Sequence, residues 1–388
     1  MGRRGRALAG IGAVAAAIAL VVGLVLVSGD DGAATPRGPV AAVQDDHLPV
    51  DPIEAIPGRL DLIAATGVTT TRVDLFWKDI APSRPDDPRD PDDPAYDWAR
   101  ADLILLGLAE RGITPIVAVF NPPDWATGGR YEPAGAAVNT ATPDPGDYAD
   151  FMAAIATRYA GGAASAGGDP LPEVRHWELW NEPNLSGFLT PQFEGGEPVS
   201  LDAYAAMVKA AYPAIKDANP DAVVIAGVGG PRGSTGETGI GAIDWLRGLR
   251  ERGIPLDAYS QHIYPAAAPT VATKALPSWS SVDRLLEELD GFRPGLPLYV
   301  TEAGYTTAET PFRDVAVTEE EQAEYLRQIF ALPQLQTDRV PVVVWFNLQD
   351  NANWPAGLLR EDLSEKPSHR AFRDVVERQG GARLADAR

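Results

Sequence analysis

From residue 39 onward the chain alternates two hydrophobic patterns. The first is a short run of β-branched and other apolar residues with few polar positions on either face, as a strand buried on both sides of a parallel sheet requires. Such runs fall at residues 40–43, 70–75, 114–120, 174–180, 222–227, 258–263, 298–301 and 340–346. Between them, apolar residues recur three and four apart, which predicts amphipathic helices. These cover 52–66, 99–111, 147–159, 201–217, 243–252, 282–289, 319–332 and 368–379, with Gly67 and Gly112 as stop signals after the first two. Eight strand–helix units in this order predict an α/β fold, a single-domain (β/α)8 TIM barrel over 39–380 followed by a tail at 381–388. The extra length falls in loops after strands, at 81–96, 121–146, 183–200 and 265–280. Loops so placed lie at the C-terminal face, where such barrels build their sites.

The first residues follow neither pattern. Arg3, Arg4 and Arg6 precede an uncharged run of 21 residues at 7–27. A secretory signal has an apolar core of about 7–15 residues, and a membrane span needs about 20. Residues 1–28 therefore read as a signal peptide or an uncleaved signal-anchor helix. Both readings stay open, since Val27-Ser28-Gly29 and Gly32-Ala33-Ala34 offer small-residue cleavage sites. A short polar linker follows at 29–38. With the basic flank inside, the rest of the chain is expected to be extracytoplasmic, secreted or tethered to the membrane through this segment alone.

A hydrophobic content of 45% is ordinary for a globular protein with a large core. The absence of cysteine excludes disulfides, thiol nucleophiles and cysteine metal sites. Thirty-three basic against 54 acidic residues leave a net charge of −21, which opposes nucleic acid or anionic lipid as partner and suits an uncharged substrate.

Two of the strand-like runs end in carboxylates. One closes in Trp180-Asn181-Glu182-Pro183-Asn184, the other in Tyr299-Val300-Thr301-Glu302. Paired acids at strand mouths suit glycoside cleavage, one protonating a leaving oxygen while the other attacks or activates water from the opposite face of the sugar. Other strand ends deliver Arg72, Asp74 and Trp77, then Asn121 with Trp125 close behind, then His262 and Tyr264, which share a face by strand period, and finally Trp345, Asn347, Gln349 and Asp350. Aromatic faces stack on pyranose rings, while amides and acids bind hydroxyls. Trp77, Trp125 and Trp345 are the tryptophans expected at the sugar, with Trp279 and Trp354 as outer-subsite candidates. Glu178, Trp180 and Glu182 share a face by the same count. Glu178 lies deeper and is expected to be a structural carboxylate paired with Arg72 or His176. Asp45-Asp46-His47 reads as the polar end of the first strand at the substrate rim rather than as a metal-ligand set.

Trp-Asn-Glu-Pro after the fourth strand, His-x-Tyr after the sixth, Thr-Glu-Ala-Gly after the seventh and a tryptophan on the eighth resemble clan A glycoside hydrolases. Within that clan the chain is most similar to family 39 and family 5 enzymes. Val43-Gln44-Asp45-Asp46, Arg72-Val73-Asp74-Leu75-Phe76-Trp77 and Pro123-Asp124-Trp125-Ala126 add to the likeness, which spans residues 40–350. Asn121-Pro122-Pro123 stands where family 5 members often carry a histidine. The resemblance implies a retaining double displacement on a β-linked oligo- or polysaccharide, with Glu182 as general acid/base and Glu302 as nucleophile. It further implies Asn181 on the sugar 2-hydroxyl, Tyr264 against the nucleophile and Arg72 beneath it. Substrate binding is expected from Asn181, Arg72, His262, Tyr264, Trp345, Asn121, Trp77 and Trp125. Trp180 is expected to desolvate Glu182 and keep it neutral, while Arg72 and Tyr264 keep Glu302 ionised. No metal or cofactor is expected, because two carboxylates suffice, and a monomer is expected. Two alternatives are a transglycosidase using the same acids and a non-catalytic carbohydrate-binding barrel.

Overall fold

Eight parallel strands close into a barrel in a computed structural model that describes residues 38–130, 133–134, 138–273 and 277–384. They are β1 Val40–Gln44, β2 Thr70–Phe76, β3 Thr114–Phe120, β4 His176–Leu179, β5 Val223–Gly229, β6 Ala258–Gln261, β7 Leu298–Ala303 and β8 Val342–Phe346. Neighbours follow chain order around the ring, and β1 closes it by pairing with β8, Val40 opposite Val342 and Gln44 opposite Phe346. The helices that return the chain are α1 Ile56–Ala65, α2 Ala99–Glu110, α3 Pro145–Arg158, α4 Val199–Ala218, α5 Ala242–Glu251, α6 Val282–Leu289, α7 Glu319–Ala331 and α8 Pro367–Arg378. Local chemistry starts several of them. Asp144 caps α3 by accepting from the Gly146 and Asp147 amides, and Thr318 and Glu321 form a reciprocal capping box at α7. The expected segment 1–28 and the linker up to residue 37 lie outside the described residues.

Alternation along the strands sorts side chains into two layers. Ala42, Ile116, Val223, Ile225, Ala258, Tyr299, Val342 and Val344 fill the barrel interior, whereas Val43, Val73, Leu75, Val117, Val119, Leu179, Val224, Val300 and Val343 pack outward in the larger core with the helices. Leu384 joins the interior cluster, and Ala382 accepts a hydrogen bond from Thr69. The described part of the expected tail is therefore packed against the barrel rather than free.

Two strands break the alternation by bulging. Between Val343 and Trp345 of β8, β7 advances from Val300 to Ala303, one residue more than its partner. A bulge re-aims the side chain beside it, and here Glu302 turns inward next to the interior Thr301. In the same way β5 advances from Ala226 to Gly229 against Tyr259 to Gln261 of β6. Gly227 in that bulge has φ +91°, and a Cβ there would sit 2.2 Å from the Tyr259 ring, so only glycine fits.

Candidate active site

The site is built around a fully buried arginine. Strand period places Arg72 and Asp74 on the inner face of β2, with Val73 and Leu75 outward. Arg72 Nε donates to Glu178, Nη1 donates to Gln44 Oε1 at 2.7 Å and Glu302 Oε1 at 2.9 Å, and Nη2 donates to Asn181 Oδ1 at 2.8 Å. Asp74 Oδ1 lies 3.0 Å from Nη1. Burial acts against the guanidinium charge, but Asp74, Glu178 and Glu302 outweigh it and hold the pKa above the usual arginine value. One planar fork thus orients acids from β2, β4 and β7 together, which a lysine could not do.

Above this layer stand Glu182 and Glu302, both buried. Tyr264 donates its hydroxyl to Glu302 Oε2 at 2.8 Å. His262 Nδ1 and Glu182 Oε1 are hydrogen-bonded at 2.8 Å, and the same nitrogen lies 3.4 Å from Glu302 Oε2. One oxygen of each glutamate and a ring nitrogen of His262 all lie within 4.8 Å of one another. That trio has the reach to share a metal ion, but Arg72 and Tyr264 already occupy the Glu302 oxygens.

Burial, with the Glu182 and Asp74 carboxyls beside it, pushes Glu302 up to about 7 against the pull of His262 and Arg72. The contacts expected to favour its ionised form are present, yet desolvation outweighs them. Burial also disfavours charge on His262, but Glu302 and Glu182 prevail and raise its pKa. Burial and the Glu302 carboxyl hold the Tyr264 phenol well above its ordinary value, so it remains a donor. Burial, Asp74 and Glu302 push Asp46, beside the site, up to about 7. Burial raises Asp74 as well.

These raised values make stability depend on pH. Asp46, Asp74, Glu302 and His262 all bind protons more tightly folded than unfolded. The stability each contributes is full below its unfolded value and is lost as pH rises through its raised folded value, which is about 7 for Asp46 and Glu302. His369 and Lys366, which burial lowers, oppose the trend, while Asp79, Asp150 and Asp350, which burial raises, add to it. The urea midpoint is therefore expected to be higher at pH 5.5 than at pH 8. A higher midpoint at pH 8 would contradict this account of the buried cluster.

Arg72, Asn181, Glu182, His262, Tyr264 and Glu302 form one connected network, but four other expected residues stand elsewhere. Trp77 is fully buried and stacks on Phe151 of α3 with ring centroids 5.3 Å apart. Trp345 points outward into the helix layer, and its indole donates to the Ala356 carbonyl at 3.0 Å. Trp125 donates to the Ala81 carbonyl, and the Arg84 guanidinium covers its ring at 4.6 Å. Asn121 has a left-handed φ of 61°, and its Oδ1 accepts from the Asn139 amide, so it ties down the loop after β3. None of these four has a hydrogen bond or ring contact to Glu182 or Glu302 among the described residues.

Trp180 also departs from expectation. β4 ends at Leu179, and Trp180 takes φ 78°, so Glu178, Trp180 and Glu182 do not share a face. The Trp180 indole donates to Phe188 and packs edge-on against Tyr148, while His262 is the neighbour bonded to Glu182. Glu178 pairs with Arg72 and accepts from Thr301 at 2.6 Å. The aromatic residues beside the site are Phe346 and Trp354, whose ring centroids lie 6.5 and 5.0 Å from that of Tyr264. Phe346 was legible, because counting by two from Val342 puts it, not Trp345, on the inner face. Gln44, which bridges Arg72 and Asp74, stands in the Val43–Asp46 run but was not among the expected site residues.

A closed (β/α)8 barrel with two strand-end glutamates converging above a buried arginine defines the class of barrel glycosidases. Residues 63–336 match the sequence profile of glycosyl hydrolases family 39, and the chain belongs to that family. A β-xylosidase of Geobacillus stearothermophilus is 29% identical over an alignment covering 37% of this chain and 29% of that protein, so the chain spans under a third of that relative's length. Similar solved folds include a family 39 glycoside hydrolase from Bacteroides cellulosilyticus WH2, with TM-score 0.60 and 23% identity over 87% of this chain and 64% of that one. A family 39 β-xylosidase from Caulobacter crescentus gives TM-score 0.60 and 21% identity over 87% and 71%. The family 5 enzyme GH5_18 from Streptomyces cattleya gives 0.61 and 17% over 90% and 82%.

Proposed function

We propose that this glycosidase cleaves a β-linked glycan with retention of configuration, Glu302 acting as nucleophile and Glu182 as acid/base. The Glu302 carboxylate attacks the anomeric carbon while Glu182 gives its proton to the departing oxygen, so the glycosidic C–O bond breaks as a glycosyl ester forms. Water then adds to the anomeric carbon, its proton passes to Glu182, and Glu302 leaves as a carboxylate. The observation that carries this reading is the separation of the two acids. Retaining enzymes hold their carboxyls about 5–5.5 Å apart and inverting ones about 6.5–9.5 Å, and here an oxygen of each lies within 4.8 Å of the other. Tyr264 and Arg72 fix the Glu302 carboxyl by one hydrogen bond on each oxygen, and His262 orients Glu182.

The β-xylosidases among its relatives make a β-xyloside the first substrate class to test. A 2-deoxy-2-fluoro glycoside with an activated leaving group is expected to inactivate the enzyme in proportion to time. Mass spectrometry should then find one glycosyl adduct on the peptide containing Glu302. An adduct on any other carboxylate, or inverted product anomers by NMR, would overturn the assignment.

A further inference from the structure

Asp45 and Asp46 are neighbours at the end of β1 with unlike surroundings. Asp45 is buried, and both its oxygens accept from Arg59, from Nε at 2.7 Å and from Nη2 at 2.5 Å. Asp46 lies beside the Glu302 cluster: its amide donates to Asn347 Oδ1 at 3.1 Å, next to Phe346, whose ring meets the Tyr264 that bonds Glu302, and Asp74 and Glu302 both act on its carboxyl. Each other carboxyl of that cluster has a strong partner: Arg72 and Thr301 for Glu178, Arg72 and Gln44 for Asp74, Arg72 and Tyr264 for Glu302, and His262 for Glu182. Asp46 has no ion-pair partner among the described residues, and its carboxyl accepts only from Asn351 Nδ2, at 3.3 Å. A half-buried carboxyl so poorly matched among like charges is costly unless something brings donors to it.

The adjacent strand supplies a second, independent oddity. Asn347 follows β8 and is fully buried. Its Oδ1 accepts from the Asp46 amide at 3.1 Å and the Leu348 amide at 2.8 Å, which fixes the end of the side chain that is oxygen. Its Nδ2 is buried and donates to nothing among the described residues. An orphan donor and an under-used acceptor are joined by one hydrogen bond through the backbone. A sugar hydroxyl donates and accepts at once, and so would satisfy both.

Resting on the proposed reading of Glu182 and Glu302, we infer that Asp46 and Asn347 form a recognition pair for one hydroxyl of the glycone, on the side of the ring away from the leaving group. Barrel order supports the placement. β1 and β8 are neighbours, and β8 stands across the ring from β4, which is followed by Asn181 and the acid that faces the leaving group. The pair is a specificity determinant. It would select a glycone bearing a free hydroxyl at that position and reject one that lacks it or carries a substituent there.

The test uses the 4-nitrophenyl glycoside that the full chain cleaves best, together with its mono-deoxy analogues at each ring position other than C2. Asp46→Asn and Asn347→Asp are compared with wild type. The second variant keeps the acceptor for both backbone amides while replacing the orphan donor, and matched melting temperatures check both folds. Each variant is expected to lose about 10- to 100-fold in kcat/KM on the parent glycoside, as for hydrogen bonds to a charged or buried group. On one deoxy analogue both are expected to equal wild type, because the partner hydroxyl is already gone. No loss on the parent, or the same factor lost on every analogue, would overturn the inference. Fluoro-glycoside labelling of Glu302 in these same variants separates the two readings: normal labelling with unchanged discrimination sinks only the recognition pair, whereas labelling elsewhere sinks the mechanism it rests on.

Discussion

Replacing Glu302 with glutamine is expected to lower kcat/KM on an aryl glycoside by about 10⁴-fold or more, the scale seen when a covalent nucleophile is removed. The amide keeps the volume, and its one oxygen still accepts from Arg72 while its NH2 can donate to the Tyr264 oxygen, so the fold should survive and the loss be chemical. Glu182→Gln should behave differently. General acid assistance is worth about 10²–10⁴-fold, and least is needed when the leaving group is already a good one. The Glu182 variant should therefore lose much less on a 4-nitrophenyl glycoside than on an alkyl glycoside, whereas the Glu302 variant should lose similarly on both. Steady-state rates on the two substrates decide the matter. A Glu302 variant that retains near wild-type turnover ends the assignment.

Arg72→Met is expected to have the largest effect on stability. It leaves Glu178, Asp74 and Glu302 without the guanidinium that all three face, and breaking a buried ion pair by removing one partner costs about 3–5 kcal/mol. Stranded carboxylates escape part of that penalty by taking up protons. The loss in urea midpoint should accordingly be smaller at pH 5 than at pH 8, with the m-value unchanged. Arg72→Lys should recover little of it, because a single ammonium cannot reach Glu178, Gln44, Glu302 and Asn181 in one plane. If the methionine variant is as stable as wild type at pH 8, the cluster is held by something other than this arginine.

The barrel itself was legible. Buried parallel strands need apolar residues on both faces, and amphipathic helices need them at helical spacing, and both signals are local. Each of the eight predicted strands overlaps an observed one. Arg72 and Asp74 were named at the end of the second strand, and the period of β2 puts both on its inner face; Glu178 was read as a structural acid because its position lies below the strand end. Trp345 failed for a reason available in the residues themselves: it alternates with Val342 and Val344, which face inward. Trp77 failed because the chain leaves β2 in a helical turn at Trp77–Ile80, which swings the indole onto α3 instead of over the sugar cavity.

What the sequence determined by itself was the repeat of strand and helix, the end of the barrel on which polar side chains gather, and the two glutamates at strand mouths. All of these depend on residue type and spacing within one segment. Only the tertiary structure decided which way the strand-end side chains turn. The β7 bulge that brings Glu302 inward exists only relative to the register of β8, and the left-handed backbone at Trp180 and Glu182 sends the indole outward and leaves the acid against His262. Convergence of Arg72 with acids from three strands follows from ring closure, because residues more than a hundred positions apart become neighbours only when the last strand pairs with the first.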